Sequence, residues 1–387
     1  MALFKDPKKP TIRPAAGRTA DISPLRPRFV EKRSPCMDRC PVGVDVRAWL
    51  TTLVQAGAPG RPADVATELA WQVIAAANPF PATLGRICPH PCEQGCHREA
   101  KDGPVAVNAL ERAIGDLALA RGFAVPRAEA TARPIRAAIV GAGPAGLSCA
   151  YQLARRRHRV TVFEARDAAG GRLRDGVRTG RIAARVVDEE IARIVNLGVE
   201  VRCAVPVPDD LGPLHNDCDV VVVTTGRRQS PLEADDHGRT SRARVYAGGD
   251  AVRPGLVGAA IASGRRIAET IESALAGRPV QTDARLPQVP ANRLKLDWYP
   301  ETERAAWTVT VPPDIDDPPV DMTALVAEAT RCLSCGSCMD CERCWMFCTN
   351  NCVEKLPKGQ HFRIKTETCN GCRKCADECV CGYIDMV

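Results

Sequence analysis

Ile135-Arg-Ala-Ala-Ile-Val-Gly-Ala-Gly-Pro-Ala-Gly146 passes from an apolar strand pattern into a glycine turn. A helical stretch follows, and then Val160-Thr-Val-Phe-Glu164. The order is strand, turn, helix, strand, with an acid closing the second strand. Gly141 allows the tight turn, Gly143 lets backbone approach a pyrophosphate, and Gly146 permits close packing of helix on strand. The phosphates of a dinucleotide would meet the free N–H groups at the helix N-terminus. Glu164 is placed to accept hydrogen bonds from a ribose. It would repel a 2′-phosphate, which argues against NADP at this site. The run Arg155-Arg156-Arg157-His158 is read as the solvated end of that helix, where cations complement the dipole.

Working downstream, Gly170-Gly171-Arg172 follows the acid closely. Asp219-Val-Val-Val-Val-Thr-Thr-Gly226 reads as a buried strand ending in a glycine turn. Val245-Tyr-Ala-Gly-Gly-Asp250 then precedes a small-residue helix around Gly258 to Gly264. Together these segments resemble the two-part FAD site of the disulfide-reductase-like flavoproteins. The resemblance implies FAD binding by Gly141, Gly143, Gly146, Glu164, Gly171, Arg172, Thr225, Gly226, Gly249, Asp250 and Gly258. Asp250 would hold the ribityl chain; a helix cap is the alternative for that residue. Such flavoproteins usually insert a nicotinamide domain between the Thr-Gly strand and the Gly-Asp strand. Here only about twenty residues, Arg227 to Arg244, separate them, far short of the ~100 a domain needs. The expectation is a flavoprotein with its nicotinamide domain deleted.

Outward from this centre, the chain has 387 residues, 45% apolar and 26% charged, as expected of a folded protein of two to three domains. No apolar run reaches the ~20 residues of a membrane helix. The basic start has no apolar core behind it, so no secretory signal is read there, and a cytoplasmic location is expected. Twenty cysteines are the outstanding feature. In a reducing compartment they point to metal or redox chemistry rather than disulfides. Five lie between Cys36 and Cys96 and twelve between Cys332 and Cys381; Cys149, Cys203 and Cys218, between these groups, are expected to be core thiols. The net charge is +7. Each thiolate-bound [4Fe–4S] cluster carries about −2, so four would bring the total near zero. With aromatics at only 4%, nucleic acid is not an expected partner.

The N-terminal cysteines stand in Cys36-Met-Asp-Arg-Cys40-Pro-Val-Gly and in Cys88-Pro-His-Pro-Cys92-Glu-Gln-Gly-Cys96, with Pro104-Val-Ala-Val-Asn-Ala-Leu-Glu-Arg112 behind them. Over about residues 30–280 the chain resembles the small (beta) subunit of glutamate synthase. It is also similar to relatives in dihydropyrimidine dehydrogenase and the flavin subunits of transhydrogenases. The resemblance implies a helical domain with two [4Fe–4S] clusters beside the flavin. Cys40, Cys88, Cys92 and Cys96 match one complete cluster; zinc is the alternative. The second set is incomplete, because the family's Arg-Cys-Leu-x-Cys is replaced before Cys36 by Glu31-Lys-Arg-Ser-Pro35.

Near the other end, Cys338, Cys341, Cys344 and Cys348 follow C-x2-C-x2-C-x3-C, and Cys369, Cys372, Cys375 and Cys379 repeat it. In the two-cluster ferredoxin pattern the fourth cysteine of each run ligates the other cluster. The expected sets are Cys338, Cys341, Cys344 and Cys379, and Cys369, Cys372, Cys375 and Cys348. Thr349 and Val380 replace the usual following proline, and Cys352 and Cys381 are left over. Arg331-Cys332-Leu-Ser-Cys335, just before this domain, matches the motif missing from the N-terminus. Cys332 and Cys335 are therefore expected to fold back and join Cys36, with Glu111 as fourth ligand. A forty-residue connection can span up to ~130 Å when extended, so reach is no obstacle. Cys332 and Cys335 binding nothing, or serving a partner's metal, are the competing readings.

The expected fold class is α/β. It comprises an N-terminal arm (1–30), a helical Fe–S domain (31–130), a Rossmann-like FAD domain (131–280), a Pro-rich linker (281–330) and an α+β bacterial-type ferredoxin domain (331–387). The cofactors are FAD and four [4Fe–4S] clusters. The function read from this is an electron-transfer flavoprotein subunit of a multi-subunit oxidoreductase, for example of a 2-oxoacid:acceptor type. No catalytic residue beyond the flavin is identified. Partners would be other oxidoreductase subunits, with soluble ferredoxin or NAD(P)H as further candidates. Two alternatives stand beside it: a self-sufficient enzyme with NAD(P)H docking directly on the flavin, and an Fe–S scaffold whose flavin is inert.

Overall fold

A computed structural model describes residues 20–58, 60–129, 133–226, 232–280, 286–305, 321–357 and 360–387. Most of the expected arm, and 281–285 and 306–320 of the expected linker, fall outside these residues.

Nine strands are described: β1 Pro27–Phe29, β2 Arg136–Val140, β3 Arg159–Phe163, β4 Glu200–Arg202, β5 Val220–Val223, β6 Val245–Ala247, β7 Val353–Lys355, β8 Phe362–Ile364 and β9 Ile384–Met386. Five of them form a parallel sheet in the order β4-β3-β2-β5-β6. The all-valine β5 is buried along its length, as a strand covered on both faces must be. β5 and β6 are direct neighbours, Val222 opposite Tyr246, so no strand is inserted between them in the sheet. The chain order reverses between β2 and β5, and an open α/β sheet binds its ligand outside the carboxyl ends of the strands at such a point.

The helix Pro144–Arg155 lies fully buried between this sheet and the long helix Val257–Leu275. Their crossing depends on Gly264, where a Cβ would fall inside contact distance of Ala145 O. Ser148 Oγ ties the pair by donating to Ile261 O at 2.8 Å. At the end of the first helix Arg157 is exposed and Arg156 half-buried, as expected, but the other two residues of the run are not solvated. Arg155 is buried and donates to the carbonyls of Ala76 and Pro126. His158 is buried too; its Nδ1 accepts from Ile135 N, and its Nε2 bonds the Glu272 carboxylate. Arg155 thus pins the Rossmann-like part to the helical domain, whereas His158 ties the start of β2 to the long helix within the Rossmann-like part.

That domain is built from helices Val46–Val54, Ala63–Ala77, Pro81–Ile87 and Val107–Arg121. Trp49, Leu53, Ile74, Leu110 and Ile114 fill its centre. The same apolar core runs on without a break into Ile139, Leu147 and Ile261 of the Rossmann-like part. Polar ties cross as well: Tyr151 Oη donates to Ala75 O at 2.8 Å, and the Glu190 carboxylate accepts from Ala82 N and Thr83 N. Burial pushes Glu190 up to about 7 even with these two donors.

The described part of the expected linker is not free. Arg33 N donates to Pro287 O and Val289 N returns to Arg33 O. Farther along, Arg98 reaches Pro300 O at 2.7 Å, Arg304 pairs with Glu93, and Ala305 N donates to Glu328. The helix Met322–Thr330 then packs Leu325 and Ala329 into the main core. Beneath it Arg98, Asp102, Glu328 and Arg331 form a buried ionic network. The Arg98 fork holds the Asp102 carboxyl well below the usual carboxylate range.

The C-terminal part has a β7–β8 hairpin and a second antiparallel pair, β1–β9, with Arg28 opposite Asp385. Residues 27–29, assigned from sequence to an arm, thus complete the sheet of the last domain. Lys32 fastens the junction, with Nζ 2.9 Å from Gly382 O and 2.9 Å from the Asp385 carboxylate.

Candidate functional site

A cleft of about 760 Å³ runs along the carboxyl ends of the five parallel strands. Gly141 carries φ +105°, and a Cβ there would stand 2.5 Å from Thr224 O, so the turn after β2 requires glycine. A Cβ on Gly143 would meet nothing, which leaves backbone facing open space in the cleft wall. Gly146 lies behind that wall, where a Cβ would clash with Gly141 O. Glu164 lines the cleft at the end of β3; its carboxylate accepts from Ala142 N at 2.8 Å and Arg166 N at 3.0 Å. The acid therefore also braces the glycine turn.

Across the cleft, Arg172 Nη1 donates to Asp250 Oδ2 at 2.8 Å and to Gly255 O at 2.9 Å. Gly255 N donates back to Asp250 Oδ1. Asp250 is thus engaged by an arginine and a loop, not in capping Val257–Leu275, whose N-cap is Leu256. Gly171, Thr225 and Gly226 also line the cleft. Gly249 and Gly258 are buried in packing instead: a Cβ would strike Ala145 at the first and Pro41 and Val42 at the second. The arrangement fits a dinucleotide, with a helix N-terminus for phosphates, an acid for a ribose and a long trough between them.

The Gly258 contact leads to the cysteines, since Pro41 follows Cys40. Cys40, Cys88, Cys92 and Glu111 line one cavity with Trp49 and Leu84. Glu111 Oε1 accepts from Asn78 Nδ2 at 2.8 Å. Burial still pushes the Glu111 carboxyl up to about 7 and the Cys88 thiol to about 11, and Glu111 itself adds to the rise at Cys88. Cys36, Cys96, Cys332 and Cys335 form a second group. Burial pushes Cys36 up to about 12 and Cys332 to about 11, with Cys96 raising both further; Cys335 rises well above its usual value from burial and the charges of Cys332, Cys36 and Cys96.

Two donors are placed differently from the sets expected from sequence: Glu111, and not Cys96, lines the cavity of Cys40, Cys88 and Cys92. The sequence pattern groups Cys96 with Cys40, Cys88 and Cys92, and Glu111 with Cys36, Cys332 and Cys335. Cys92 belongs to the short helix Pro91–Gln94, but that helix ends before Cys96. The chain turns at Gly95 and delivers Cys96 toward Arg331 and the Cys332 loop. Glu111, on the helix Val107–Arg121, faces the cavity that Cys96 leaves one donor short.

In the last domain one cavity is lined by Cys348, Cys369, Cys372 and Cys375, and another by Cys338, Cys341, Cys344 and Cys379. Each fourth cysteine thus sits with the other run. Backbone N–H groups aim at the sulfurs: Cys352 N at Cys348 Sγ (3.1 Å), Gly371 N at Cys369 Sγ (3.4 Å) and Tyr383 N at Cys379 Sγ (3.2 Å). Burial pushes the Cys338 and Cys375 thiols up to about 12. Cys379 runs the other way, pushed down to about 6 by its hydrogen bond with Cys381; for the raised thiols, cationic iron would offset the charge of the thiolates. Four converging donors per site, with N–H···S bonds, suit [4Fe–4S] clusters.

Between the Cys36 group and the Cys338 group lies Tyr299, which the sequence did not single out. It is buried, and its Oη donates to Leu333 O at 2.8 Å. Burial raises its pKa, and the charges of Cys381, Cys335, Cys332 and Cys341 raise it further. Its place in a proline-rich stretch carried no periodic signal. Of the three cysteines expected in the core, Cys149 is buried, whereas Cys203 and Cys218 are only partly so.

The fold and sites together define a 4Fe–4S helical domain joined to a Rossmann-type dinucleotide domain. Residues 29–123 match the family described as dihydropyrimidine dehydrogenase domain II, 4Fe-4S cluster, and residues 139–196 match the NAD(P)-binding Rossmann-like domain. Among whole proteins, the NADP(+)-dependent formate dehydrogenase subunit beta of Moorella thermoacetica is 33% identical over 51% of this chain and 30% of its own length. The NADPH-Fe(3+) oxidoreductase subunit beta of Geobacter sulfurreducens is 28% identical over 62% of this chain and 35% of its own. The glutamate synthase [NADPH] small chain of Mycobacterium tuberculosis is 36% identical over 49% of this chain and 38% of its own. The chain thus spans between 30% and 38% of these relatives' lengths. Among the described residues no helix is long and apolar enough to cross a membrane.

Proposed function

We propose that the chain is an electron-transfer flavoprotein subunit of a multi-subunit oxidoreductase, with FAD in the cleft and four [4Fe–4S] clusters at the four groups of donors. The observation that carries this reading is continuity. Gly258, at the start of the helix behind the cleft, packs on Pro41 and Val42 beside Cys40. The Cys40 group adjoins the Cys36 group, Tyr299 links that group to the Cys338 group, and Cys344 feels Cys375 of the last. When bound, FAD exchanges electrons in pairs and [4Fe–4S] clusters exchange them singly, so the two together join pairwise to single-electron chemistry.

The chain's own residues supply position. The helix N-terminus at Gly143 and Pro144 would hold the diphosphate, Glu164 the adenosine ribose, and the Arg172–Asp250 pair the ribityl side. The thiols and Glu111 would hold iron, and Trp49, Leu84 and Tyr299 keep water from the spaces between. The names of the relatives, all subunits or chains of oxidoreductases, support partner subunits here. A formate, iron-reducing or 2-oxoacid setting would be fixed by those partners. A second reading, nicotinamide in the cleft itself, draws on the description of the family matched at 139–196.

The test is to extract and identify the bound dinucleotide, and then to mix the anaerobic protein with NADH, with NADPH and with dithionite. FAD in the extract, with reduction by dithionite and none by either nicotinamide, is the expected result. Rapid bleaching by a nicotinamide would make the chain self-sufficient, and a flavin that never changes redox state would make it a scaffold.

A further inference from the structure

Two buried thiols have no place in the four groups above. Cys352 and Cys381 are 3% and 2% exposed. Each lines a cavity that already holds four thiols: Cys352 that of Cys348, Cys369, Cys372 and Cys375, and Cys381 that of Cys338, Cys341, Cys344 and Cys379. Each also stands beside the fourth cysteine of its own run. Cys352 N donates to Cys348 Sγ at 3.1 Å, and Cys379 Sγ lies 3.8 Å from Cys381 Sγ. Both are clamped by their own carbonyls, which accept from Lys365 N and from Gly336 N at 2.7 Å. The duplication is therefore present at both sites and is fixed by backbone.

A [4Fe–4S] cluster takes four thiolates, so the fifth thiol is surplus while the other four are bound. We propose that each ferredoxin-type site carries a reserve ligand: Cys352 replaces Cys348, and Cys381 replaces Cys379, when the fourth bond is lost. This rests on the reading that these cavities hold [4Fe–4S] clusters. The exchange balances without an oxidant. The Fe–S bond to Cys348 breaks and its sulfur takes a proton; the Cys352 thiol gives up a proton and forms the new Fe–S bond. No electron moves, and the cluster keeps its charge.

The alternative is that both are inert packing thiols. Iron, acid-labile sulfide and the low-temperature EPR spectrum of the dithionite-reduced full chain distinguish the two. The wild type should hold about 16 irons, four for each cluster. Cys348→Ala and Cys379→Ala should each keep that complement with an altered EPR signal. The pairs Cys348→Ala/Cys352→Ala and Cys379→Ala/Cys381→Ala should each fall to about 12. Loss of four irons in the single variants, equal to that in the pairs, would overturn the proposal. Should the single variants fail to fold, the rate of iron loss to a chelator decides. Cys352→Ala and Cys381→Ala should lose iron several-fold faster than wild type, and an unchanged rate refutes the reserve role. A wild type without four clusters would instead sink the cluster reading itself.

Discussion

Glu111 Oε1 accepts a 2.8 Å hydrogen bond from Asn78 Nδ2, and that contact aims a carboxylate at the sulfurs of Cys40, Cys88 and Cys92. Asn78 is itself fixed, because its Oδ1 accepts from Phe80 N at 2.9 Å. Asn78→Ala should leave the fold intact but loosen the Glu111 side chain. The expected outcome is a changed EPR signal from one cluster of four, with partial loss of its iron. Glu111→Cys should restore a full iron complement in the Asn78→Ala background. A spectrum identical to wild type in Asn78→Ala would show that the amide does not position this ligand.

The exchange of Cys96 and Glu111 between sites predicts a pattern of non-additivity. Residues on one cluster act as a unit, and residues on separate clusters act independently. Cys96→Ala/Cys332→Ala should lose no more iron than Cys96→Ala alone. Cys96→Ala/Cys40→Ala should lose two clusters. The reverse pattern would restore the ligand sets expected from sequence.

Arg331 and Glu328 are each 1% exposed and lie 2.7 Å apart, with Asp102 on the other side of the guanidinium. Removing one partner of such a pair leaves a buried charge and costs about 3–5 kcal/mol. Arg331→Ala should therefore release the segment that carries Cys332 and Cys335. Limited proteolysis between 286 and 335 should accelerate, and iron from the Cys36 group should be lost first. Cleavage at the wild-type rate would argue against this network as the anchor.

Gly264→Ala places a methyl against Ala145 O at the crossing of Pro144–Arg155 and Val257–Leu275. Overpacking of this kind costs about 1–3 kcal/mol. Because the first of these helices opens on the cleft, the loss should appear as reduced dinucleotide content at unchanged iron. A normal cofactor ratio would show that the two helices adjust without disturbing the glycine turn.

Glu190 supplies a pH dependence away from the metal sites. Its native value of about 7 lies above the ordinary 4.5. Between these values the folded chain holds a proton that the unfolded chain releases, so stability falls as pH rises through that window. The full difference is about 3 kcal/mol. Glu190→Gln should flatten the melting temperature between pH 5 and 7.5, and a slope as steep as wild type would reassign the effect.

The dinucleotide half of the molecule was legible in the sequence because its constraints are local. Gly141, Gly146 and Glu164 sit within one strand–helix–strand unit, where chain geometry alone dictates residue type. The pairing of the two C-terminal runs was legible for a similar reason, since their spacings repeat. The division of the N-terminal donors was not, because it depends on where a four-residue helix stops between Cys92 and Cys96. Nor was β1, a three-residue strand whose partner lies more than 350 positions away and whose length is too short to show alternation. Arg155 and His158 read as solvated because their partners lie far off in sequence: Ala76 and Pro126 of the helical domain for the first, Glu272 of the long helix for the second.

The β1–β9 pairing also bears on how the molecule is made. Residues 27–29 leave the ribosome more than 350 residues ahead of the strand they join. The Cys36 group likewise waits for Cys332 and Cys335. The helical domain can thus pack while its second metal pocket is still open on one side. Closure of that pocket waits until residue 335 has emerged, whereas every residue lining the dinucleotide cleft lies between 140 and 260 and can be in place earlier.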